Sequence, residues 1–328
     1  MIHQITLPNS AFLGNFEKFL TPNTFPLDNT KVDLTSPYKW VSLHPLVSAM
    51  LAPISHKSPF LSSVITIHNS LDLEDFFSKT LPSYQLNSQD LLLTKYILSE
   101  LTRNTLEHAS TPDGVTLALT HSVKTDTLRL GVSDRGVGIK TTIRRLYPDQ
   151  TDYETIITAL TPGVTGTTNF SGGNTQNAGA GLFFVKSLAH QLGSHFLLYS
   201  GTGLFKLLKR KTIRSILKPD SLEDHASGSN DFPFWHGTAV GVDIPLNKIT
   251  DFNTALTQIR CSSPSCPRLC SEQRHRYLNS SKRNHAVSDK KRRGYPRFLR
   301  YHGQYPVIHP CPHCRATTNL WHRRSKAS

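Results

Sequence analysis

Three oxygen-bearing side chains recur at helical spacing in residues 99–108. Glu100, Asn104 and Glu107 stand at i, i+4 and i+7, and His108 follows directly. On an α-helix such residues share one face. Leu93 and Ile97 lie on that face one and two turns earlier. The stripe therefore begins apolar, as a core-facing stripe does, and then turns polar. Burying an acid or an amide costs free energy unless the group is paired or bound, so the pattern predicts a helix lining a ligand site. A carboxylate such as Glu100 suits proton abstraction from a water or a hydroxyl. The amide oxygen of Asn104, one turn on, suits a hard cation such as Mg2+, which prefers oxygen ligands.

Further motifs follow in a fixed order. Residues 128–134 read as a strand ending at Asp134, with turn glycines at Gly136 and Gly138. A glycine-rich segment, 172–181, leads into an apolar-periodic helix for which Gly193 is the expected C-cap. Backbone N–H groups at a helix start make an anion site, which places Gly179, Gly181 and Leu182 where phosphates would rest, with Asn174 as an added contact. The segment lacks G-x-x-x-x-G-K-[ST] and is not a P-loop. Gly237-Thr238 precedes an expected strand over 239–244.

In this order and context the motifs resemble the GHKL superfamily, which includes gyrase, histidine-kinase and MutL-type ATP-binding domains. The resemblance covers roughly residues 85–250. It implies an α/β fold, a two-layer α/β sandwich of the Bergerat type, with ATP and Mg2+ as cofactors. It also implies roles: Glu100 as general base, Asn104 as the metal-binding residue, and Asp134 as acceptor for the adenine amino group. Gly136 and Gly138 would let the backbone pass close to the base, and Thr238 would hold a water beside Asp134. Glu107 is expected to steady Asn104 or a metal-bound water. For His108 a phosphate contact and a structural role both stay open.

The elements that must position these residues are legible only in part. The chain has 328 residues, room for about two domains. Residues 1–85 read as a small α/β unit, with strands at 31–35 and 61–67 and helices after Trp40 and at 71–81, the second capped by Ser70. Strand–helix–strand order predicts parallel pairing through a crossover, and the unit resembles the STAS-like domains found beside such ATPases. Residues 86–250 form the expected ATP-binding domain. Within it 140–178 would be the lid, with a short helix over 152–160. Residues 251–328 are expected to be a basic, mostly disordered tail.

The charge supports that division. Of the formal +14, residues 261–328 supply +13, from 15 Lys/Arg and two acids. Such a tail, with Tyr295, Phe298, Tyr301 and Tyr305 among the charges, has the chemistry to bind nucleic acid. All five cysteines lie there too, and Cys266, Cys270, Cys311 and Cys314 have the ligand types of a zinc site; a solvated tail with no dedicated partner is the other reading. No apolar run reaches the roughly 18 residues of a membrane span, and the N-terminus is not a signal peptide. A cytoplasmic location without membrane attachment is expected.

Within the resembled superfamily, the histidine-kinase branch needs a phosphoacceptor histidine on a dimerising helix. His44 precedes a proline and His68 an asparagine, and neither fits. The gyrase branch needs a downstream domain that the tail does not supply. The remaining branch implies an ATP-binding regulatory protein, a protein serine/threonine kinase acting on a STAS-type partner. An ATP-gated binding switch with little turnover is the alternative, and nucleic-acid binding through the tail is a third class.

Overall fold

The computed structural model describes residues 3–20, 31–56, 58–144, 146–162, 181–207 and 226–262. Four short strands open the chain, β1 (His3–Thr6), β2 (Ser10–Ala11), β3 (Val32–Thr35) and β4 (Ser42–Leu43), followed by helix α1 (Pro45–Leu51). Next come β5 (Ile65–Ile67), α2 (Ser70–Lys79), the long α3 (Ser88–His108), β6 (Val115–Ser122) and β7 (Thr127–Ser133). Three helices follow: α4 (Gly138–Ile143), α5 (Asp152–Ala159) and α6 (Gly181–Gln191). The last elements are β8 (Phe196–Gly201), β9 (Gly203–Leu207), β10 (Ala226–Ser229), β11 (Trp235–Pro245) and α7 (Phe252–Ser262). Strands β5 to β11 form one seven-stranded sheet in the order β10-β9-β8-β11-β7-β6-β5, antiparallel throughout.

Local sequence explains the ends of the key helices. Asn87 caps α3, its Oδ1 accepting the Gln89 and Asp90 N–H groups at 2.9 Å each. Helix α6 ends at Gly193, whose φ is +61°. There Gly193 N–H bonds to the His190 carbonyl and Ser194 N–H to the Ala189 carbonyl, the paired bonds of a Schellman end. Helix α2 is capped by Asn69 rather than Ser70. The Asn69 side chain accepts the Leu71 and Asp72 N–H groups, and Ser70 is the first helical residue.

Alternation along the strands makes two faces. Phe196 and Leu198 face a core built with α3, α6 and α7. Leu197 and Tyr199 face the other way, into a second core with Ile5, Leu7, Leu13, Phe16, Leu46 and Met50. The α/β sandwich is present, and the N-terminal residues cover the opposite face of its sheet. Helix α1 sits there on a patch of small residues. Ala118, Gly131 and Gly241 are register neighbours on β6, β7 and β11. A Cβ on Gly131 would lie 2.4 Å from the Leu46 backbone, and one on Gly241 would lie 2.5 Å from a Leu13 methyl.

Several expectations need correcting. No parallel crossover joins the strands at 31–35 and 61–67. β3 pairs with β1 in a separate two-stranded sheet, whereas β5 pairs antiparallel with β6 in the main sheet. The second of these strands is also only three residues long, Ile65–Ile67. The tail does not begin at 251. Residues 252–262 are helix α7, whose Phe252, Leu256 and Ile259 enter the main core, with the Phe252 ring 5.5 Å from that of Tyr96. No described helix is long and apolar enough to cross a membrane. The aromatic-studded basic segment, Cys266, Cys270, Cys311 and Cys314 lie outside the described residues.

Candidate functional site

Helix α3 carries the first group of expected site residues. Leu93, Ile97 and Leu101 anchor it in the core. Glu100 follows with its side chain 13% exposed, and Asn104 is half-buried. Both point at the start of α6. A Cβ on Gly181 would lie 2.4 Å from Glu100 Oε2 and 3.3 Å from Asn104 Nδ2. A larger residue at 181 would have to push these two side-chain ends aside, and Leu182 follows in the first turn. Glu100 Oε1 is bonded by the Arg103 guanidinium. Glu107 and His108 lie at the end of α3, more exposed, with 3.9 Å between His108 Nε2 and Glu107 Oε2.

The second group gathers around Asp134, directly after β7. The residue is 3% exposed. Oδ1 accepts Gly136 N–H at 2.8 Å and Thr238 N–H at 3.3 Å. Among the described residues Oδ2 has one long contact, from the Thr105 hydroxyl at 3.4 Å. Burial pushes the carboxyl up to about 6, against the pull of these hydrogen bonds. Gly136 passes so close to α3 that a Cβ would meet the Ala109 carbonyl at 2.0 Å. Gly138 and Gly237 hold φ of +73° and +100°, a region that L side chains avoid.

Among the described residues, the two groups thus lie on either side of the C-terminal half of α3. Thr105 on α3 touches Asp134 and lies next to Asn104, so one helix joins the two groups. Thr238 reaches Asp134 through its backbone, accepting Asp134 N–H at 2.9 Å as well as donating. Its strand begins earlier than expected, at Trp235, with a bulge between Trp235 and Thr238. Asn174 and Gly179 lie outside the described residues. The sequence reading missed Thr105 and Arg103. No local signal separates either from an ordinary helix residue.

These features find a counterpart among known proteins. Residues 89–219 match the family model of the histidine kinase-, DNA gyrase B- and HSP90-like ATPases. The segment takes in nearly all of α3, the Asp134 turn and α6, so this part of the chain is a domain of the GHKL ATPase type, a class whose domains bind ATP. No curated protein matches the chain.

Proposed function

We propose that the chain is a regulatory protein serine/threonine kinase that uses Mg·ATP to phosphorylate a Ser or Thr on a STAS-type partner protein. The observation that carries this reading is the approach of Glu100 Oε2 and the Asn104 amide to the Gly181 end of α6. The residues fit Mg·ATP. The space that a Gly181 Cβ would fill lies between a carboxylate, an amide and a helix N-terminus, a combination suited to metal and phosphate. A buried carboxylate with a lightly used oxygen waits at Asp134 for an amino donor.

Under this reading residues 86–250 are the ATP-binding domain. Asn104 would hold Mg2+ together with phosphates and waters, and Glu107 would steady it. Bound Mg·ATP supplies a neutralised, transferable phosphoryl group. Glu100 Oε2 would take the proton of the acceptor hydroxyl. The N–H groups of Gly181 and Leu182, with Gly179, Asn174 and His108, would contact phosphate. Asp134 would accept from the adenine amino group, with Thr238 holding a water beside it and Gly136 and Gly138 giving room.

One observation favours a second reading, an ATP-gated binding switch with little turnover. The Arg103 guanidinium on Glu100 Oε1 competes for the lone pairs that a general base must offer. The deciding experiment follows γ-labelled ATP with Mg2+, using the full chain alone and with STAS-fold proteins encoded beside it. Label on a partner Ser or Thr is expected, reduced roughly 100-fold or more in Glu100→Ala. ATP binding without transfer selects the switch, and absence of ATP binding overturns both readings.

A further inference from the structure

Helix α4 starts without a cap of its own. Val137 precedes it in helical conformation and makes no side-chain hydrogen bond to the first turn. The first N–H groups of a helix need partners from outside it. Ile139 N–H finds one on β8, where Ser200 Oγ accepts it at 3.0 Å. The same hydroxyl donates to the Gly237 carbonyl at 2.7 Å. Ser200 is 3% exposed, so this hydroxyl spends both donor and acceptor capacity inside the protein.

The two groups it ties belong to the two glycine turns beside Asp134. One is the Gly138 turn and the other the Gly237 bulge. The fit leaves little slack: a Cβ on Gly138 would lie 3.0 Å from Ser200 Oγ and 3.2 Å from the Gly237 carbonyl. One on Gly237 would lie 2.3 Å from the Asp134 carbonyl and 2.6 Å from its Oδ1. The bulge also delivers Thr238 N–H to that Oδ1 at 3.3 Å, a bond long enough that a small slip of the bulge would break it.

We infer that Ser200 is a positioning residue that sets base selectivity. It locks the Gly138 turn to the Gly237 bulge, keeps Asp134 Oδ1 engaged, and leaves Oδ2 aimed at the nucleotide base. It also fastens the start of α4, the first helix after the base site, to the same point. The inference rests on the reading of Asp134 as the adenine acceptor. A carboxylate held at a fixed angle discriminates between bases. Adenine offers it an amino donor where guanine offers a carbonyl acceptor, and two facing acceptors repel.

The test compares ATP and GTP binding, each with Mg2+, by calorimetry on the full chain. In Ser200→Ala the ATP affinity is expected to fall about tenfold while GTP affinity stays within about twofold, the size expected when a hydrogen bond to a charged acceptor is lost. The Ile139 amide should exchange with solvent faster in the same variant. Loss of a merely structural residue would weaken both nucleotides alike or neither, and either result overturns the inference. Ser200→Thr keeps the hydroxyl and should keep the ATP preference, and its loss there also counts against the lock. Should Ser200→Ala not fold, the Thr variant decides alone. Asp134→Asn in the same assay separates the two levels. If it leaves the preference intact, the base-site reading fails. If it abolishes the preference while folded Ser200→Ala does not, the Ser200 inference alone fails.

Discussion

Under the proposed reading, two opposed demands meet in the Asp134 side chain. A buried, ionised carboxylate is what an adenine amino group needs, and it is also what a core resists. Its folded-state value of about 6 lies above the ordinary 3.8. Because the folded value is the higher one, the ionised side chain destabilises the fold fully above pH 6, and the effect fades as the pH falls toward 4. The difference amounts to about 3 kcal/mol. Asn at this position keeps an acceptor for Gly136 and Thr238 N–H and removes the charge. Asp134→Asn is therefore expected to exceed the wild type in stability at pH 8 by up to about 3 kcal/mol, with no advantage at pH 4. ATP affinity should drop at least about tenfold, since a hydrogen bond to a charged acceptor contributes about 1.5–3 kcal/mol. Urea unfolding at the two pH values and ATP titration by calorimetry check both halves. A variant that binds ATP as the wild type does would remove Asp134 from the base site.

At the scale of elements, helices α3 and α6 and the end of β7 were legible because their signals are local. Apolar periodicity and a Gly193 stop both lie within a few residues of what they specify. Helix α7 was hidden by the basic composition that follows it, although Phe252, Leu256 and Ile259 stand at i, i+4 and i+7. The role of β5 was not legible either, because nothing in three residues says which sheet they will join. The seat of α1 was the least visible, since Gly131 and Gly241 become neighbours only when β7 pairs with β11. Read singly, a glycine in a strand looks like a weak point. These two positions give an ordered prediction. At Gly131 an added Cβ meets the backbone of Leu46 at 2.4 Å, which cannot move without shifting α1. At Gly241 it meets the far ends of Leu13 and Leu46, at 2.5 and 3.1 Å, which can rotate away. Gly131→Ala should cost about 3 kcal/mol and Gly241→Ala about 1, on the scale of overpacking. Denaturant unfolding of both variants reads the order. Equal and small losses would mean that α1 does not rest on this face.

Across the whole molecule, the N-terminal layer and the sheet meet at a partly buried charged cluster on the face away from the candidate nucleotide site. His195 Nδ1 lies 3.0 Å from Asp243 Oδ2, and Arg129 Nε lies 3.9 Å from Oδ1. His44, which caps α1, brings Nε2 to 3.3 Å from the same Oδ1, off the line of a good hydrogen bond. Burial works to raise the Asp243 carboxyl, but the two imidazoles outweigh it and hold the group far below the ordinary carboxylate range. His44 is fully buried, and burial lowers its value below the usual 6.5. Its Nδ1 accepts Leu46 N–H at 3.1 Å, so a proton there would break the cap of α1. The sign follows from that. The unfolded imidazole gains a proton as the pH drops through 6.5, the folded one resists, and stability is lost below that point. Asp243 adds a further loss below about 4, where the unfolded carboxyl protonates and the folded one does not. Asp134 acts in the opposite sense below pH 6, so the stability curve of the wild type sums opposed contributions. Replacing His44 with asparagine separates them. Asn is a good N-cap and does not titrate, and Asp134 is unchanged. His44→Asn should lose about 1–2 kcal/mol at pH 8 from the smaller side chain, yet fall less steeply than the wild type between pH 7 and 5. Urea unfolding at pH 8, 6.5 and 5 measures both slopes. Parallel curves would show that His44 is not what ties the N-terminal layer to the sheet in a pH-dependent way, and a shallower curve for the variant would place that dependence on this one buried imidazole.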